Sequence, residues 1–105
     1  MNTFQQGRVR VLVYRDKAEG IWYATALELN LTIDGEDRHV VQLELDRAIR
    51  EYVQSARELD SEELLNQEPD PELVALWEAQ IDNRTESVES PYATHFAGNE
   101  TLSYA

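Results

Sequence analysis

The sequence predicts an α+β domain, in which a three-stranded antiparallel sheet is packed by one long amphipathic helix in the order β-β-β-α. Two observations carry this: apolar residues alternate with a period of two over residues 8–33, and from Val41 onward the period changes to three and four. A third, Asp70 standing directly before Pro71, adds a second helix near the end of the chain.

In residues 8–15, Val9, Val11 and Val13 alternate with Arg8, Arg10, Leu12 and Tyr14, which makes a strand with one purely aliphatic face. The polar turn Asp16-Lys17-Ala18-Glu19-Gly20 leads into residues 21–27, rich in β-branched and aromatic side chains, so the two runs form a β-hairpin. Leu29, Leu31 and Ile33 alternate with Asn30 and Thr32 as a third strand that ends at the turn dipeptide Asp34-Gly35.

Val41, Leu45, Ala48, Ile49, Tyr52, Val53, Ala56 and Leu59 then fall on one helical stripe, with Asp37 placed to cap its N-terminus. Asp60, with Glu63 three residues on, is placed to cap a short continuation through Leu65. In the second helix, residues 70–82, Leu73, Leu76, Trp77 and Ile81 form the stripe and Glu72 suits the positive end of the dipole. Residues 1–82 thus read as the domain. Residues 83–105 are polar and interrupted by Pro91, Gly98 and Asn99; they read either as an edge strand around Phe96 and residues 101–104 or as an unstructured tail. The valine face of the first strand is expected to meet the 41–59 stripe, each buried aliphatic side chain contributing ~1.5–3 kcal/mol.

A chain of 105 residues is the size of one domain, and it has no cysteine for a disulfide, a thiol nucleophile or a Cys-based zinc site. The opening MNTFQQGRVR lacks the apolar core of a signal peptide, and no stretch approaches the ~18 apolar residues of a membrane span, so a soluble cytoplasmic protein is expected. The formal net charge of −12 is uneven. Residues 1–57 carry eight bases and nine acids, and residues 58–105 carry one base and twelve acids. Such a rear segment is either a solvating surface or one that meets a basic partner, and it disfavours nucleic-acid binding by the chain on its own.

The run GIWYATALELNLTIDGED at residues 20–37, followed by the helix with Ala48, Ile49 and Tyr52, resembles the HicB antitoxin-like family. The positions that carry the resemblance are Gly20, Trp22, Tyr23, Ala24, Leu27, Leu29, Leu31, Gly35 and Asp37, over about half the chain, with a looser likeness at residues 71–77. The resemblance implies a sheet-and-helix domain that pairs with a small, basic, ribonuclease-type toxin or stands alone. Nothing in residues 83–105 reads as the helix-turn-helix or ribbon-helix-helix by which many such antitoxins bind DNA, so a solitary form is expected.

Catalytic patterns are missing. His39 and His95 sit in no ligand motif, the serines form no nucleophile elbow, the acids follow no metal-loop order, and four glycines provide no phosphate cradle. The expectation is a non-catalytic domain with no cofactor and no metal. Arg8, Arg10, Trp22 and Trp77 are the candidate partner-binding residues, and the expected partners are a basic toxin or an identical subunit, since the sheet leaves an edge to cover. The alternative is an oligomeric nucleic-acid-linked regulator using the bases Arg8, Arg10, Arg15 and Lys17 as a stripe.

Overall fold

The computed structural model describes residues 2–3, 6–82 and 92–102. Strand β1 (Gly7–Asp16) turns at Gly20, whose φ of +73° places it in the left-handed region and whose N–H donates to the Asp16 carbonyl at 2.8 Å. The Asp16 carboxylate accepts from the Ala18 and Glu19 amides and holds the turn. Strand β2 (Trp22–Ala26) follows, then a single 3-10 turn at Leu27–Leu29 that stops at Asn30 in the left-handed conformation, and then β3 (Leu31–Gly35). Helix α1 (Arg38–Glu58) begins at Asp37, whose carboxylate accepts from the His39 and Val40 amides. A 3-10 helix at Glu62–Leu65 leads to α2 (Pro71–Ile81), capped by Asp70 with Pro71 at its first position. Strand β4 (Tyr92–Leu102) closes the order.

Two expectations are corrected here. Among the described residues the antiparallel sheet has four strands, in the order β3-β2-β1-β4, because residues 92–102 pair along the whole of β1. The second helix therefore lies between β3's helix and a last strand instead of ending the fold. Leu29 also leaves the third strand for the 3-10 turn, which buries both Leu27 and Leu29. The other residues read as a tail, 83–91 and 103–105, lie outside the described residues.

Val9, Val11 and Val13, with Ala24 and Ala26 of β2, pack against Val41, Leu45, Ile49, Val53 and Ala56 of α1, as the two periodicities require. Leu59 is an exception: it stands beyond the helix end and is 70% exposed. The opposite face of β1 is not polar throughout, since Leu12 and Tyr14 on it are buried. That face is covered by α2, which packs on β4 and β1, whereas α1 packs on β2 and β3. The sheet thus carries one helix on each face, and the two are offset sideways. Among the described residues no helix is long and apolar enough to cross a membrane.

Candidate functional site

The offset of α1 toward β2 and β3 leaves an open strip between α1 and β4 on the valine face. Strand β4 pairs with β1 in regular register from Gly7 opposite Leu102 to Val13 opposite Phe96, but Tyr14 lies opposite Thr94. His95 is therefore a bulge residue, and its side chain is re-aimed toward the N-terminus of α1. There the Arg38 guanidinium lies 2.7 Å from His95 Nε2 and 3.3 Å from His39 Nε2. Trp22 collects the cations of this end: Arg15 and Arg38 lie 5.8 and 5.9 Å from its ring centre, and the His95 ring meets it edge-on at 5.6 Å. Partial burial, then Arg38 and His39, hold the His95 imidazole below its ordinary pKa.

Two helical turns along α1 and five residues along β4, the strip ends in an acidic pair. Glu100 and Asp46 share a hydrogen bond between their carboxyl groups. Burial and the Asp46 carboxylate push Glu100 up to about 7, so it holds the proton, while the bond from Glu100, and then Arg50, keep Asp46 below the usual range. Arg50 Nη1 donates to Asp46 Oδ2 at 2.6 Å. Between the two ends lies a cavity of about 380 Å³, with Val11, Val13 and Leu45 in its lining together with Phe96 and Leu43. Phe96 and Leu43 are 45% and 72% exposed. The Phe96 ring lies over Gly98, where a Cβ would come within 2.7 Å of its tip. Among the described residues, Gln42 and Asn99 add neutral polar side chains to this lining.

The residues singled out from the sequence are divided between the two faces. Arg10 and Trp77 meet each other on the α2 face: the guanidinium lies 5.6 Å from the indole centre, and Arg10 Nε donates to Glu28 Oε1 at 2.9 Å. Trp77 Nε1 donates to the Gly98 carbonyl at 2.9 Å, which docks α2 on its own sheet. Arg8 is exposed on the same face, its N–H donating to Asn2 Oδ1. Trp22 is across the sheet, with Arg15. The basic stripe is thus split, two of its arginines on one face and one on the other.

No family model, curated protein or solved structure matches this chain. Arg38, Leu43, Asp46 and Glu100 carried no functional signal in the sequence, because each lies on the outward side of the long helix or in the segment whose strand was one of two readings, and Phe96 entered only as a residue of that strand. Among the described residues, no group of three or more His, Asp and Glu is placed to hold a metal ion. A second surface stands apart from the cleft: residues 58–82 carry nine acids and no Lys or Arg, and all nine acids are exposed.

Proposed function

We propose that this chain is a non-catalytic, cytoplasmic regulatory domain of the HicB antitoxin-like kind, which acts by binding a small basic protein of toxin type. The observation that carries the reading is the run of nine exposed acids without Lys or Arg in residues 58–82, presented by the 3-10 helix at Glu62–Leu65 and by α2. Opposite charge steers association and makes it sensitive to salt, because exposed charges are screened beyond ~8 Å at physiological ionic strength. The division of Arg8, Arg10 and Arg15 between faces, with Arg10 held by Glu28, supports protein over nucleic acid as the partner.

Co-expression with a small basic protein encoded beside this chain tests the reading. A complex is expected at low salt that dissociates as salt rises, and that weakens when Glu62, Glu63, Glu72 and Glu78 are changed to Gln. A chain that elutes alone at low salt overturns it.

A further inference from the structure

We infer that the outer edge of β4 and the cleft beside it are the contact between two copies of this chain, related by a two-fold axis that sets the Arg38 and His95 end of one copy against the Asp46 and Glu100 end of the other. The inference rests on the reading of the chain as a protein-binding domain, but it uses the α1 face, away from the acidic surface of residues 58–82.

Three observations lead to it. Strand β4 is eleven residues long and lies at the edge of the sheet, and among the described residues no strand pairs with its outer side. The apolar side chains beside that edge, Phe96 and Leu43, are exposed in the single chain and line the same cavity as the buried Val11 and Val13. The strip is also polar from end to end. Arg38 to Asp46 spans ~12 Å of helix and His95 to Glu100 ~16 Å of strand, so α1 and β4 run the same way, with Arg15 and Arg38 at one end and, at the other, the Asp46 and Glu100 carboxyls with Arg50 beside Asp46.

That polarity selects the occupant. Antiparallel pairing of β4 with its own copy reverses the strip, so each cationic end meets an acidic end, and a two-fold axis makes both contacts at once. Parallel docking of two copies sets like charge on like. A uniformly basic partner suits Asp46 and Glu100 but meets Arg15 and Arg38 at the other end. The net charge of −12 on each copy opposes association at long range, but it is screened over ~8 Å while the local pairs touch.

Sedimentation equilibrium of the full chain tests this, with circular dichroism to establish that each variant is folded. The wild type is expected to dimerise reversibly. Arg38→Glu sets a carboxylate against the Asp46–Glu100 pair and Glu100→Arg sets a guanidinium against Arg38, in each case at both symmetry-related contacts, and each variant is expected to weaken the dimer by on the order of tenfold or more. An equimolar mixture of the two variants has opposite charges at both contacts and is expected to recover the wild-type association. Leu43→Lys changes a side chain that is 72% exposed, so it leaves the monomer folded and weakens the dimer whether or not the charge variants fold. A wild type that remains monomeric at its highest soluble concentration overturns the inference, as does a dimer indifferent to Leu43→Lys or a mixture no tighter than its components. The acidic surface of residues 58–82 is intact in all three variants, so binding of the basic protein to Leu43→Lys reports separately on the proposed function.

Discussion

The Glu100 carboxyl has its pKa pushed up to about 7, and the reason is local. Burial removes water from it, and the Asp46 carboxylate accepts a hydrogen bond that only the protonated Glu100 can donate. The two carboxyls share one proton, and Arg50 sits on the Asp46 side. Its folded pKa of about 7 stands above the ordinary value of 4.5, so between these values the folded chain binds more protons than the unfolded one. The pair's contribution to stability is therefore present at the acidic side of that window and is lost as pH rises through about 7. His95, with its depressed pKa, acts in the opposite sense: its contribution is present above 6.5 and is lost on acidification. The two are separated by comparison with a variant. Glu100→Gln keeps a hydrogen-bond donor for Asp46 without a titrating proton, and urea denaturation is expected to show that the variant gains on the wild type as pH rises through about 7. Parallel stability curves for the two proteins would remove this account.

Among the elements, α1 depends most on its first turn. Asp37 satisfies the amides of His39 and Val40, and the same turn fixes Arg38 at the mouth of the cleft. Asp37→Ala is expected to cost about 1 kcal/mol, read as a lower denaturation midpoint with unchanged slope. A cost near zero would mean that tertiary packing alone sets the helix start. The 3-10 turn at Leu27–Leu29 has a comparable role at the other end of the sheet. It turns Glu28 toward β1, where the carboxylate accepts from both the amide and the side chain of Arg10, and Gln67 is tied to the same turn by its N–H to the Glu28 carbonyl. This turn, more than a continuous third strand, connects the sheet to the segment that leads to α2.

At the level of the whole molecule, the sheet separates two packed layers. Leu12 is fully buried, yet it points away from the valine core and toward the side that α2 covers. Tyr14 continues that layer, stacked on Tyr23 at 5.2 Å and meeting Tyr92 edge-on at 5.1 Å. Leu12→Ala is accordingly expected to destabilise by about 2–5 kcal/mol, the range for a core leucine, and not by the small amount of a solvent-facing one. Thermal denaturation measures the difference, and a fall in melting temperature too small to resolve would show that the second face is not a core. The same offset of the helices that buries Leu12 leaves the β4 side of the first face open, so the cleft is a consequence of how the layers are placed.

Much of this architecture was legible in the chain itself. The alternation of Val9, Val11 and Val13, the stripe from Val41 to Ala56, the Asp37 cap and the Asp70-Pro71 helix start are local patterns, and local patterns survive folding because each follows from backbone geometry and short-range hydrogen bonds. Non-local relations had no such signature. Whether residues 92–102 would pair with β1, which face α2 would cover, and where the bulge would aim His95 are settled only when segments far apart in sequence compete for the same apolar surface. Arg38 and His95, like Asp46 and Glu100, are more than fifty residues apart. Their juxtaposition is a property of the assembled sheet and helix, which is why the tertiary structure alone could reveal the cleft.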